Sequence, residues 1–570
     1  MLLSNLDLLA TAPGGVARLR ELILTLAVQG KLVPQDPEDE PARELLKKIR
    51  AEKDRLIAEG KIRRDKPLAE IAEDEQPFEL PRGWCWTRVA DICTLVTDGE
   101  HATPQRCDDQ SAIPLVTAKN VRHEVMDYRV TDFVPLDIAQ KCWQRCKPAV
   151  GDVLMVSVGA TLGRLCVLRE AVEMVLVRSV TVLRPAQSGV MPDFLACHLM
   201  SPATQREIWG EVKQSAQPCL YLAKSAALKI ALPPLAEQSR IVTRVEELMR
   251  LCDALEAKGQ LEAAQHAQLV SALLATLTDS ATPEALTENW QSLAIHFDTL
   301  LDRPEAVDAL EQTILQLAVR GQLVPQDPAD EPASVLLQHI RSEKDRLIAA
   351  GEIKRDKPLP PIEDDEKPFE LPAGWEWVRI DEVSEVQGGI QKTQLRRPMR
   401  EHYPYLRVAN VQRDALRLDE IERFELTKDE LAKWRLIAGD LLIVEGNGSA
   451  DEIGRCAVWN GSIDPCVYQN HLIRVRCLQP QSMAFIKLFL NAPSGTDEMK
   501  RLAITTSGLY NLSVGKIRNF VVPMPSLAEQ SRIVARVEAL RRLCADLRQR
   551  LAAGQTTQAL LAGALVENVV

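Results

Sequence analysis

The densest chemistry in the chain is cationic. Lys392-Thr-Gln-Leu-Arg-Arg-Pro-Met-Arg400 follows Gly388-Gly389, and Arg407, Arg413, Arg417 and Arg423 continue the run. An earlier stretch carries Lys119, Arg122, Arg129, Lys141, Arg145 and Lys147. Such cations suit a phosphate backbone; a solvated charged face is the bland use of the same residues. Catalytic motifs do not accompany them. Gly515-Lys516 lacks the glycine spacing of a phosphate loop, and Gly446-Asn-Gly448 lies in a loop between strand signals, not before a helix. Acid pairs such as Asp108/Asp109 and Asp364/Asp365 read as solvated loop, not as general acid and base. The thirteen cysteines are odd in number, with Cys142 and Cys146 the tightest pair and no C-x-x-C, so neither a zinc ribbon nor a disulfide framework is expected. No catalytic residue and no metal site are expected.

The chain has 570 residues, a prior of about three to four domains. Its 69 Lys+Arg against 80 Asp+Glu give a formal charge of −11, which excludes a uniformly basic coat but not local basic faces. The acidity collects in connectors, at Asp36 to Glu40, Glu70 to Glu75 and Glu363 to Glu366. No stretch reaches the length of about 18 apolar residues that a membrane helix needs, and Met-Leu-Leu-Ser-Asn-Leu-Asp at the start lacks a basic secretory signature. Reduced thiols and a cytoplasmic location are expected.

An internal repeat must organise whatever the cations do. Leu19 to Trp86 matches Leu310 to Trp377 without a gap at an offset of 291, including LAVQGKLVPQDPEDEPA against LAVRGQLVPQDPADEPA and PFELPRGWCW against PFELPAGWEW. Leu232 to Val242 matches Met524 to Val534 at an offset of 292, through the shared LAEQSRIV. These pairs bracket two blocks of nearly equal length, about residues 87–231 and 378–523. Two repeats this long indicate tandem duplication of a domain and its connector, not a solenoid. Inside the blocks identity collapses while a skeleton persists. Ile113 to Val121 answers Tyr403 to Val411, Gly151-Asp152 answers Gly439-Asp440, Gly163-Arg164 answers Gly454-Arg455, and Val180 to Arg184 answers Leu472 to Arg476. Short apolar runs bounded by Gly, Asp and Pro predict strands. One frame holding two different surfaces is the implication.

After each LAEQ the period turns helical. Ile241, Val245, Leu248, Cys252 and Leu255 form an a/d seam, as do Ile533, Val537, Leu540, Cys544, Leu547 and Leu551. Two such helices can pair antiparallel about a pseudo-twofold axis; alternatively each seam packs on its own domain. Further helices are expected at about 16–30, 40–59, 306–320 and 331–350, each stopped by a glycine, and 279–303 reads as a linker with a short helix after Trp290. The fold class is α+β: two mixed, strand-weighted domains joined by long helices. The expected divisions are a helical region at 1–83, a first block domain at 84–231, a central helical region and linker at 232–374, a second block domain at 375–523 and a last helix at 524–570.

Two variable domains, each between PFELPxGWxW and PxLAEQSRIV, with heptad helices alongside, resemble the DNA-specificity subunit of type I restriction–modification systems over essentially the whole chain. The resemblance implies two target-recognition domains, each reading half of an asymmetric, gapped site in double-stranded DNA. It implies an antiparallel coiled coil that sets the gap and docks two modification (methyltransferase) subunits, with restriction (helicase-nuclease) subunits joining that core. S-adenosylmethionine, ATP and Mg then belong to the partners, and this chain binds no cofactor. A helical seam of about 35 residues spans some 50 Å, against half-sites about 34–36 Å apart on one face of the duplex. Asp98 to Arg106 resembles the family's DGxHxTP loop, which makes Gly99, His101, Thr103, Gln105 and Arg106 DNA-binding candidates, with Lys119, Arg122 and Arg164 from the loops 117–122 and 157–164. The second-block candidates are Lys392, Gln394, Arg396, Arg397, Arg400, Arg407, Arg413, Asn447 and Arg455, with Thr505 to Tyr510 behind them. His101 fits loop architecture or DNA contact equally, whereas Asn120 and Asn410, alike in both blocks, read as structural turn residues. A self-sufficient enzyme with an unrecognised site and a scaffold that no longer reads DNA are the alternatives.

Overall fold

The computed structural model describes residues 6–64, 68–210, 218–353, 358–391, 393, 400–446, 452–503 and 511–567. Its contacts divide the chain into two units, Met1–Glu262 with Gln555–Val570, and Ala263–Gly554. Both divisions fall inside long helices, Leu235–Thr278 and Leu527–Glu567. At 44 residues the first of these is about 66 Å long.

In the first unit β1 (Cys85–Arg88) pairs antiparallel with β9 (Lys229–Leu232), so the block leaves its connector beside the point where it entered. Between them lie β2 (Cys93–Asp98), β3 (Ile113–Val116), β4 (Asp132–Val134), β5 (Val153–Val156), β6 (Leu165–Val167), β7 (Val175–Leu176) and β8 (Val180–Pro185). They form a four-stranded antiparallel sheet, β2-β8-β5-β6, and a smaller sheet, β4-β3-β7, in which β3 and β7 run parallel. The second unit repeats the plan. There β10 (Glu376–Arg379) pairs with β20 (Val521–Met524). The other strands are β11 (Ser384–Gly388), β12 (His402–Leu406), β13 (Val411–Gln412), β14 (Ala415–Leu416), β15 (Glu422–Glu425), β16 (Leu441–Val444), β17 (Cys456–Val458), β18 (Val467–Tyr468) and β19 (Leu472–Cys477). The sheets are β11-β19-β16-β17 and β15-β12-β18, with β13-β14 a separate hairpin. In β5 and β16 every residue is buried, which is why these runs read as continuous apolar text.

The turns that looked structural are so. Asp152, fully buried, takes a bidentate grip from Arg184 (2.7 and 2.8 Å), and Asp440 takes the same grip from Arg476 (2.6 and 2.7 Å). Asn120 accepts from Thr117 N at 2.9 Å and donates to Asp127 O and Val130 O; Asn410 accepts from Arg407 N at 2.8 Å and donates to Arg417 O and Glu420 O. Both amides are spent on backbone, so they hold a loop.

The near-identical motifs of the two copies meet in space within each unit. Trp84 Nε1 donates to Glu237 at 2.9 Å and Gln35 Nε2 donates to the same carboxylate at 2.7 Å, while Arg240 pairs with Asp39 at 2.5 Å. The second copy repeats this with Trp375 and Gln326 on Glu529 (2.9 and 2.6 Å) and Arg532 on Asp330 (2.6 Å). Burial pushes both glutamate carboxyls up, against the pull of the indole donor. Gly30 and Gly321 sit at φ 68° and 71°; a Cβ there would lie 3.0 Å from the tryptophan ring and closer still to Pro81 or Pro372. Every member of the network is therefore constrained by the others, and these residues are the same in both copies.

The helices Gly15–Val28, Ala42–Ala58, Pro304–Val319 and Ala333–Ala349 stand where the glycine stops place them. The stretch 279–303 is more helical than its composition suggests: Thr282 caps a helix from Pro283 to Ile295 by accepting from Ala285 N at 3.2 Å. The seam positions are occupied inside each unit. Ile241, Val245 and Cys252, with Leu248 partly buried, share a core with Ile23, Leu24 and Ala27 of the helix Gly15–Val28, and Arg20 bridges to Asp253 and Glu256. Ile533, Val537 and Cys544, with Leu540 and Leu547 partly buried, share a core with the helix Pro304–Val319, held by Arg541 and Arg548 on Glu311. Leu255 is half-buried. An a/d period fits any apolar helical face and does not name its partner; along these stretches the face comes from the same repeat copy. Farther along, Val270, Leu274 and Leu277 join the core of the second unit, and Ala562 packs with Leu9 and Ala12 in the first.

One buried group distinguishes the units. His198, 3% exposed, accepts from Ala231 N at 2.9 Å and bonds Thr204 Oγ1 at 3.1 Å. Burial pushes its imidazole down to about 3, so the folded state holds it neutral while the unfolded chain protonates it near 6.5. Stability is then lost as pH falls from about 6.5 towards 3, by up to about 1.4 kcal/mol per pH unit. At the same offset of 291 the second unit carries Phe489, which cannot titrate. Hydrogen exchange at pH 7 and pH 4.5 should show more protection lost in helix Pro192–Met200 than in Met483–Asn491, and His198→Gln should remove the excess; equal losses in both helices contradict the assignment.

Candidate nucleic-acid interface

Strands β2, β5 and β7 hand over to one cluster of loops at their C-terminal ends. Glu100 N donates to Leu176 O (2.7 Å), Arg178 N to Glu100 O (3.0 Å), Ser157 N to Ser179 O (2.9 Å) and Leu220 N to Ser157 O (2.9 Å). The loop after β2, the turn joining β7 to β8, the loop after β5 and residues 218–220 are thus tied into a single surface by backbone bonds that any side chains can share. The second unit has the same ties. Ile390 N donates to Tyr468 O (2.9 Å), Asn470 N to Ile390 O (2.9 Å), Glu445 N to His471 O (3.0 Å) and Leu512 N to Glu445 O (2.6 Å). Isolated bridges match as well: Glu100↔Val177 with Ile390↔Gln469, and Val158↔Cys219 with Gly446↔Asn511. The frame is common, and the side chains mounted on it differ at almost every place.

Within the first cluster Gly99 is buried, and a Cβ on it would lie 2.2 Å from Leu176 O. Its part in the fold is to let the loop pass the strand, as Gly389 does beside Gln469 O at 2.1 Å. His101 Nε2 lies 2.8 Å from Asp98 Oδ2 and 3.0 Å from Arg145, whose guanidinium also grips Asp98 and donates to Gly99 O at 3.0 Å. The histidine remains half-exposed, so it props the loop while presenting one ring edge outwards. Thr103, Gln105 and Arg106 are exposed around a buried Pro104.

Four exposed cations share two carboxylates. Arg106 (3.4 Å) and Lys119 (3.3 Å) share Asp132, and Arg122 (3.5 Å) and Arg129 (2.8 Å) share Asp127. The Arg129 guanidinium holds the Asp127 carboxyl well below its ordinary range. All four cations are exposed, and exposed Lys and Arg suit phosphate. Arg164 is half-buried and has no carboxylate partner among the described residues.

The second cluster is less cationic where it is described. Lys392, Gln394, Arg396, Arg397, Asn447 and the stretch Thr505 to Tyr510 lie outside the described residues. Arg400 is exposed at the end of its loop. Arg407 is committed to Glu422 (2.9 Å) and Glu420 (3.8 Å). Arg455 pairs with Glu452, donates to Val408 O at 3.3 Å and is mostly buried, so it braces the sheet instead of facing solvent. Arg413 lines a cavity of about 500 Å³ with Asp308, Glu311 and Arg541, on the side of the β13-β14 hairpin that meets the helices. Beside it Asp414 is held by Lys487 (2.8 Å) and Arg541. Among the described residues no group of three or more His, Cys, Asp or Glu could hold a metal, and no helix is long and apolar enough to cross a membrane.

Sequence reasoning missed the turn Val177-Arg178-Ser179 and its counterpart Gln469-Asn470-His471, which occupy the middle of each cluster. Their signal was available: each directly precedes the matched strand, and the residue types differ between the copies.

A duplicated α/β domain carrying unlike loops at equivalent strand ends, with helical connectors, defines a protein with two different surfaces on one frame. The type I restriction modification DNA specificity domain matches twice, at residues 81–265 and 372–553, and the chain belongs to that family. It is 36% identical over 575 residues to the type I restriction enzyme EcoEI specificity subunit of Escherichia coli, covering 97% of this chain and 93% of that one. It is 34% identical over 583 residues to the EcoAI specificity subunit of the same species, covering 98% and 94%. A solved chain from the assembly of a type I R-M system aligns over 86% of this chain and 98% of its own at 16% identity, with a TM-score of 0.46.

Proposed function

We propose that this chain is the non-catalytic specificity subunit of a type I restriction–modification complex in which each unit's loop cluster reads one half of an asymmetric, gapped site in double-stranded DNA. The observation that carries the reading is the common backbone frame with unlike side chains, since two different readers on one scaffold call for an asymmetric target where a symmetric dimer calls for a palindrome. The long helices set the gap between half-sites and dock two methyltransferase subunits, and helicase-nuclease subunits join that core. S-adenosylmethionine, ATP and magnesium act on those partners, in the cytoplasm with the DNA.

Mapping N6-methyladenine across the native genome with and without the gene tests this. Loss of methylation from one two-part motif on deletion is the expected result. A methylome unchanged by deletion, together with no sequence-dependent DNA binding by the assembled complex, overturns it in favour of a scaffold that no longer reads DNA. Binding of S-adenosylmethionine by the isolated chain contradicts the non-catalytic assignment.

A further inference from the structure

We infer that Arg178 and Asn470, at equivalent places in the two loop clusters, are specificity-determining residues that each read a base edge, Arg178 a guanine and Asn470 an adenine; this rests on the DNA-reading function proposed above. Both follow the short strand that runs parallel to the first strand of the small sheet, and both donate their backbone N–H to the loop after β2 or β11, at 3.0 and 2.9 Å. The turn is therefore held rigidly from its backbone, and the side chain is left for other work. Arg178 is exposed, and among the described residues its guanidinium has no carboxylate partner; Asn470 is half-exposed, and its amide bonds no described residue.

Most other polar side chains of the frame are spent. Asn120, Asn410, Asp152 and Asp440 hold backbone or arginine in both units alike, and Arg145, Arg407 and Arg455 are tied to acids. The polar residues that tie the frame, those asparagines and aspartates, are the same in both copies. The turn residue instead changes from arginine to asparagine on an unchanged backbone. Both residue types have bidentate base complements in the major groove, guanine O6/N7 for arginine and adenine N6/N7 for asparagine. Arg106, Lys119, Arg122 and Arg129 are exposed beside the same cluster and suit phosphate, so Arg178 is not the sole cation there for that duty.

The test uses the methylating complex assembled with the full chain carrying Arg178→Ala, Arg178→Lys, Arg178→Asn, Asn470→Ala or Asn470→Arg, with the methylated motif mapped for each. Neither side chain is bonded to a described residue, so the variants should melt with wild type. Arg178→Ala and Arg178→Lys are expected to relax one guanine position in one half-site, losing roughly 5- to 150-fold of discrimination there, with the other half-site unchanged. Asn470→Ala should relax one adenine position in the opposite half. Arg178→Asn and Asn470→Arg should shift preference towards adenine and guanine respectively. Motifs identical to wild type in all five overturn the assignment. So does uniform weakening on every duplex with a shallower salt dependence for Arg178→Ala and full rescue by Arg178→Lys, since that marks a phosphate contact. If the wild-type complex itself methylates no gapped motif, the function proposed above fails first and independently.

Discussion

Trp375→Ala is expected to lower the unfolding free energy by about 3–5 kcal/mol, the range for removing a large buried aromatic from a packed core. The residue is 6% exposed, stands edge-on to Phe485 with centroids 5.6 Å apart, and lies against Gly321, where the Pro372 ring and the indole leave no room for a methyl group. Its indole N–H is the donor that offsets the burial of Glu529, so truncation leaves a cavity and a carboxylate short of one partner. Glu529→Gln keeps an acceptor for the indole and removes the charge, and it should cost far less. A urea titration of the full chain, with hydrogen exchange following residues 304–319, measures both. A loss below about 1 kcal/mol for Trp375→Ala contradicts the view that this network is the keystone of the repeat.

That network was legible in the sequence because it is made of residues that cannot change singly. Tryptophan, glutamate, glutamine, arginine and aspartate recur at fixed offsets since each satisfies another across hundreds of residues. The strand frame was legible for a related reason: fully buried strands write themselves as apolar runs closed by Gly-Asp turns. What escaped was anything decided by the neighbour in space. The a/d period announced apolar helical faces but not that Ile23 and Leu24 lie against Ile241 and Val245. Charge density singled out Arg407, Arg413 and Arg455, and the fold gives all three to structural surroundings within their own unit. Gly99 stood in a recognisable loop motif, but its reason is a carbonyl 2.2 Å from where a Cβ would go. Conversely, Arg178 and Asn470 stand just before a matched strand and differ between the copies, a signal the sequence carries but shares with many loop positions. The hydrogen bond to Glu100 O, repeated from Asn470 to Ile390 O, ties this turn to the loop after the first long strand. Periodicity and repetition report the scaffold, and a reading surface is built from positions where the two copies disagree.

Exchanging residues 87–231 for the corresponding block of another family member is expected to replace one half of the recognition site completely and leave the other half and the gap unchanged. The geometry favours a clean exchange. The block enters along β1 and leaves along β9, paired from Cys85↔Leu232 to Arg88↔Lys229, so its ends are neighbours. Trp84 and Glu237, which tie the connectors together, lie outside the exchanged segment. The condition on the donor is set by Ala42, Leu45 and Ile49, which share the block's core: at Gly189 a Cβ would lie 2.8 Å from Leu45 and 2.9 Å from Ile49. A donor with a larger residue there should assemble poorly, and restoring glycine should rescue it. Because specific sites are bound typically 10³–10⁷ times more tightly than other DNA, with each mismatched pair costing about 1–3 kcal/mol, the old motif should lose methylation entirely, not partially. Mapping the methylome of a host carrying the exchanged chain gives the answer in one experiment. A change in both half-sites means that the units read DNA jointly, and no change means that the loop cluster of the first unit is not the reader. A changed gap assigns the spacing to the block instead of the helices. Only the single-half exchange is compatible with two autonomous readers, each carrying its own core and its own surface.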